Sequence, residues 1–154
     1  MSGPAPAYVA VVGASKATDQ DIQDAEAVGR FLGERGAFIV CGGRGGVMAA
    51  ASKGCAEAGG TVIGMLPGDD RSDAYEWVSV AIPTGLGELR NGLIVRTADV
   101  MIAVGGAYGT LSEVALGLQA GLKVFGLHTW AIDGITAVDS PGAAVNQALA
   151  SLLG

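Results

Sequence analysis

Val100-Met101-Ile102-Ala103-Val104-Gly105-Gly106-Ala107-Tyr108-Gly109-Thr110-Leu111-Ser112-Glu113 is an apolar run, then a glycine cluster, then a helix-start signal. Read in that order, it is a buried strand that passes through a glycine loop into a helix N-terminus. Free backbone N–H groups at such a place attract phosphate. Glu113 closes the stretch with a carboxylate that phosphate binding alone does not need.

The pattern repeats on either side. Tyr8–Gly13, Ala37–Cys41, Thr61–Leu66, Trp77–Ile82, Asp99–Val104 and Leu122–Leu127 read as strands. Between them lie helical patterns. Thr18 opens the first, with Ile22, Ala25, Val28 and Leu32 at helical spacing and Gly36 as its stop. Gly45–Ala58 forms the next, rich in small residues. Leu86, Leu89, Leu93 and Ile94 mark one apolar face of a third, Thr110–Ala120 is a fourth, and Pro141–Leu153 closes the chain. Continuous apolar strands between helices predict a sheet covered on both faces. The expected fold is α/β: a Rossmann-like, doubly wound three-layer sandwich with a mainly parallel sheet, in a single domain over residues 1–154.

Composition bounds the function. The chain has 154 residues, enough for one self-supporting core. Its net charge of −6 argues against a general nucleic-acid face, which is basic. No apolar run approaches a membrane span, and Met1–Ala7 does not read as a signal peptide, so a cytoplasmic location is expected. Cys41 and Cys55 form neither a disulfide framework nor a metal-ligand pattern and read as small buried residues. No metal site and no resident cofactor is expected. Lys16, Lys53 and Lys123, the only lysines, sit in no pyridoxal-phosphate context.

The 26 glycines concentrate after strands. Gly13-Ala14-Ser15 follows the first, Gly42-Gly43-Arg44-Gly45-Gly46 the second, and Gly105 to Thr110 the fifth. In a parallel sheet all three loops lie at one edge, where ligands bind. None is a Walker loop or a G-x-G-x-x-G fingerprint. The candidate phosphate or nucleotide contacts are Gly13, Ser15, Gly42, Gly43, Arg44, Gly105, Gly106, Tyr108, Gly109 and Thr110. Tyr108 either stacks on the ligand or packs under its loop. Trp77 and Trp130 are candidates to stack a base or to pack in the core. His128, the lone histidine, reads as a pocket border or a surface residue, and Asp69, Asp70 and Asp73 as a solvated loop.

Gly42-Gly43-Arg44-Gly45-Gly46-Val47-Met48 followed by Gly106-Ala107-Tyr108-Gly109-Thr110-Leu111-Ser112-Glu113 resembles the LOG family of the "lysine decarboxylase-like" superfamily. The resemblance spans the first to the sixth strand. It is nearest the short bacterial branch, which is also similar to the molybdenum cofactor carrier proteins. LOG proteins are phosphoribohydrolases that release ribose 5′-phosphate from a nucleoside 5′-monophosphate. Their motif P-G-G-x-G-T-x-x-E matches here at Gly106, Gly109, Thr110 and Glu113, with Gly105 for the proline and Ala107 for the second glycine. An upstream arginine-lysine pair matches at Arg90, with Asn91 in the lysine's place.

The resemblance implies Arg90 and Glu113 as catalytic residues, with the carboxylate stabilising oxocarbenium character on the ribose. It implies a small phosphate-bearing ligand such as AMP, and a homodimer or higher homo-oligomer. It equally admits a carrier or sensor of a nucleotide-like or molybdopterin-type ligand, without turnover. The residues leave a second reading of Glu113 open: Thr110-Leu111-Ser112-Glu113 is also a capping box, with Thr110 as N-cap. Arg90, on a helix with Leu86, Leu89 and Leu93, reads equally as a solvated surface residue.

Overall fold

The computed structural model describes residues 5–153; Met1–Pro4, part of the N-terminal stretch read above, lie outside it. Seven strands form one sheet: β1 (Tyr8–Gly13), β2 (Phe38–Cys41), β3 (Thr61–Leu66), β4 (Val80–Pro83), β5 (Val100–Val104), β6 (Val124–Leu127) and β7 (Ile135–Val138). The helices are α1 (Asp19–Glu34), α2 (Val47–Glu57), α3 (Asn91–Thr97), α4 (Tyr108–Gln119) and α5 (Pro141–Ala150). The sheet order is β4-β3-β2-β1-β5-β6-β7, and every neighbouring pair is parallel. The chain winds outward from β1 to β4, then returns to the other side of β1 as β5. That reversal is a topological switch point, and it opens a crevice between the ends of β1 and β5.

Alternate residues of the central strands serve opposite layers. Val9 and Val11 join Ala25, Val28 and Leu32 of α1, Val47 and Ala51 of α2, and Val145 of α5. Ala10 and Val12 join Ile94 and Val95 of α3 and Val114 of α4. Both faces are thus dry, which is why these strands are apolar throughout. The tightest seam is between α1 and α2. A Cβ at Gly29 would lie 1.9 Å from the Ala51 carbonyl oxygen, and one at Gly54 would lie 2.1 Å from that of Glu26. Only glycine allows this backbone approach.

Besides shifts of one to three residues at the ends of β2, α2, β5, β6 and α5, four elements depart from the sequence expectation. β7 was not foreseen: Ile135-Thr136-Ala137-Val138 is a short, half-exposed edge strand with no apolar run. β4 starts at Val80 rather than Trp77, because a turn closed by Val78 N–H donating to the Tyr75 carbonyl holds the preceding segment. The helix expected from Leu86 to Ile94 is a 3-10 turn (Gly87–Arg90) followed by α3. Its predicted apolar face splits: Ile94 is buried, whereas Leu86, Leu89 and Leu93 are exposed. α4 begins two residues before the expected Thr110. No helix among the described residues is long and apolar enough to cross a membrane.

Candidate functional site

The site begins with how helices start. α1 and α5 are capped by side chains: Thr18 Oγ1 accepts from the Asp21 N–H at 3.1 Å, and Ser140 Oγ from the Ala143 N–H at 3.1 Å. α2 and α4 are not. Their N-cap residues are Gly46 and Ala107, which offer no side-chain acceptor. Among the described residues no group accepts from the N–H of Met48, Gly109 or Thr110. All three residues line one cavity of about 320 Å³ at the β1/β5 switch point. Two positive helix ends with free donors therefore meet in one place, an arrangement suited to an anion.

Gly46 makes the α2 end possible. Its φ is +66°, and a Cβ there would lie 2.2 Å from the Ala14 carbonyl oxygen. That carbonyl accepts from the Val47 N–H at 3.1 Å, so the β1 and β2 loops are tied together below the cavity.

Arg90 is 4% exposed, so the surface reading does not hold. Its Nε donates to the Met65 carbonyl at 2.8 Å, its Nη1 donates to Asn91 Oδ1, and Nη1 lies 3.7 Å from Glu88 Oε2. A Cβ at Gly42 would lie 2.8 Å from Arg90 Nη2, so this glycine makes room for the guanidinium. Arg44 reaches the same acid from the other side, with Nη1 3.5 Å from Glu88 Oε1. Lys16 adds a third cation to the lining.

The Glu113 carboxyl also lines the cavity and is 8% exposed. Among the described residues no hydrogen bond or ion pair engages it. Burial pushes its pKa up to about 7; Arg90 opposes the rise and Glu88 adds to it. The capping-box reading fails on position. α4 starts at Tyr108, so Thr110 is the N3 residue, and its Oγ1 accepts from the Ala107 N–H at 3.3 Å. Glu113 lies one turn further on, where no free N–H remains for it to cap.

Of the sequence candidates, Gly13, Ser15, Arg44, Arg90, Gly109, Thr110 and Glu113 come together around the cavity. Gly42 and Gly43 lie behind it, packed on Arg90 and Leu66. Gly105 faces the Asp21 carboxylate, and Gly106 the Trp130 indole. Tyr108 points away, 84% exposed and stacked on Trp130. His128 is exposed, with Nε2 3.7 Å from Asp24 Oδ2. Lys16, Met48, Glu88 and Asn91 line the cavity without having been singled out for it. For Lys16 the signal was there, one residue beyond the first glycine loop. Glu88 carried none, since its role depends on two arginines that converge only in the fold.

The chain is 32% identical to the molybdenum cofactor binding protein from the phototrophic bacterium Rippkaea orientalis, whose structure matches with a TM-score of 0.91 over 99% of this chain and 100% of that one. It is 33% identical to the Moco carrier protein from Chlamydomonas reinhardtii, with a TM-score of 0.86 over 96% and 99% of the two chains. It is 35% identical over 144 residues to an uncharacterized protein from Archaeoglobus fulgidus, covering 93% of this chain and 95% of that one. The model of the SLOG cluster4 family matches residues 6–150, and the chain belongs to that family.

Proposed function

We propose that this protein binds a small phosphate-bearing ligand, nucleotide-like or of molybdopterin type, in the β1/β5 cavity and holds it as a carrier. The observation that carries this reading is the pair of uncapped helix N-termini, α2 and α4, that open onto the same cavity beside Lys16, Arg44 and Arg90. The phosphate sits on the N–H groups of Gly109 and Thr110, opposite Met48 of α2, and the cations neutralise it. Similarity to proteins named for molybdenum cofactor binding and carriage supports this choice of cargo. So does the way Arg90 is held: Met65 and Asn91 take two of its donors, which makes it a fixed charge for binding.

One observation favours a second reading, a phosphoribohydrolase. Glu113 has no hydrogen-bond or ion-pair partner among the described residues, lines the cavity and has its pKa raised by burial to about 7, as a base that activates water requires. Incubation with AMP and with N6-substituted AMP separates the two. The carrier reading predicts protection against thermal unfolding with no free base and no ribose 5-phosphate. Release of both products, abolished by Glu113→Ala, establishes the hydrolase instead.

The exposed Leu86, Leu89 and Leu93 are the surface on which we place a second copy of the chain. The acidic net charge is the ground for proposing no nucleic-acid partner, and a single-stranded oligonucleotide is the competitor to include.

A further inference from the structure

We infer that the outer face of Tyr108, beside the crevice between the β5–α4 and β6–β7 loops, is a second subsite, which takes the planar aromatic ring of the ligand whose phosphate lies at α4. The inference rests on the phosphate reading above and adds to it where the ring goes.

The crevice, of about 220 Å³, is lined by Gly105, Gly106, His128, Thr129 and Trp130. It opens at the same sheet edge as the main cavity, across the Ala107–Gly109 turn. Tyr108 stands on that turn with its ring stacked on Trp130, centroids 6.3 Å apart and planes at 22°. Tyr108 is 84% exposed, so the ring face turned from Trp130 is open, one residue from the Gly109 N–H. The main cavity has no aromatic group in its lining, where Lys16, Arg44, Glu88, Arg90 and Glu113 suit phosphate and hydroxyls. Tyr108 offers a planar heterocycle a stacking partner one residue from that lining.

The crevice also holds features that packing does not account for. His128, at φ +52°, is the only non-glycine residue in the left-handed region among the described residues. The buried Thr129 Oγ1 and Trp130 Nε1 have no protein partner. Gly106 leaves clearance over the indole edge, since a Cβ there would lie 3.0 Å from Trp130 Nε1. A strained His128 and two unpaired buried polar atoms thus adjoin Trp130, the ring on which Tyr108 stacks.

The test uses a Trp77→Phe background, which leaves Trp130 as the only tryptophan. AMP and ribose 5-phosphate are titrated by calorimetry and by Trp130 fluorescence. The expected result is saturable quenching by AMP and roughly tenfold weaker AMP binding in Tyr108→Ala. Tyr108→Phe retains the affinity, and ribose 5-phosphate binds Tyr108→Ala as well as the parent. AMP affinity and Trp130 emission that ignore Tyr108→Ala overturn the subsite. So does an equal loss for ribose 5-phosphate, which would assign Tyr108 to the loop rather than to the ring. Failure of both ligands to bind the parent protein removes the phosphate reading and the subsite with it.

Discussion

Glu113 is the residue on which binding and chemistry divide. A carboxyl raised from 4.5 to about 7 is more protonated in the folded than in the unfolded chain between those values. Its folded state is therefore favoured below pH 4.5, and that advantage is lost as pH rises through 7, a change of about 3 kcal/mol. Glu113→Gln is uncharged throughout. Urea unfolding of the two proteins at pH 4.5 and pH 8 should show the variant gaining about that much relative to the parent; an unchanged difference would mean that Glu113 is not desolvated. The sequence offered Glu113 and Arg90 as a pair, but from resemblance rather than physics. What sequence could not show was burial. A lone arginine among leucines reads as solvated, and only the packing of Gly42, Met65 and Asn91 around its guanidinium makes it an interior cation.

At the scale of elements, helix starts divide into ends capped by a side chain, α1 and α5, and ends left open onto the cavity, α2 and α4. Ala107 has the extended backbone of an N-cap residue but no acceptor. Ala107→Asp would supply one for the Gly109 or Thr110 N–H and should stabilise the fold by about 1 kcal/mol. The same carboxylate would occupy the N–H groups proposed to hold phosphate, so AMP affinity should fall. A stabilised variant with undiminished affinity would show that those N–H groups are not the ligand contacts. The strands were legible because a strand buried on both faces must be apolar along its length. The start of α4 was misread because Thr110 is a good N-cap residue on sequence, whereas the cap position falls to an alanine. The leucine stripe misled for a related reason. Gly85 and Gly87, at φ +67° and +59°, turn the chain around Leu86, and a 3-10 turn follows to Arg90, so α-helical spacing holds only from Asn91 onward.

The whole molecule is a seven-stranded parallel sheet whose winding reverses beside β1, and the cavity follows from that reversal. The layer order and the sheet edge that carries the cavity could be read from alternating strands and glycine loops, apart from β7, which has too little apolar sequence to announce itself. Oligomeric state belongs to this scale. Leu89 is 80% exposed beside Leu86 and Leu93, and a second copy over this face would bury all three. Light scattering should report a dimer or larger assembly that Leu89→Glu converts to monomer; a parent protein that is already monomeric removes the interface. The central claim is that free N–H groups of α2 and α4 hold a phosphate between them. It is tested most directly by following backbone amide NMR resonances during a titration with AMP. The account predicts saturable downfield shifts at Met48, Gly109 and Thr110 with one common affinity. Saturation with those three amides unmoved would contradict it.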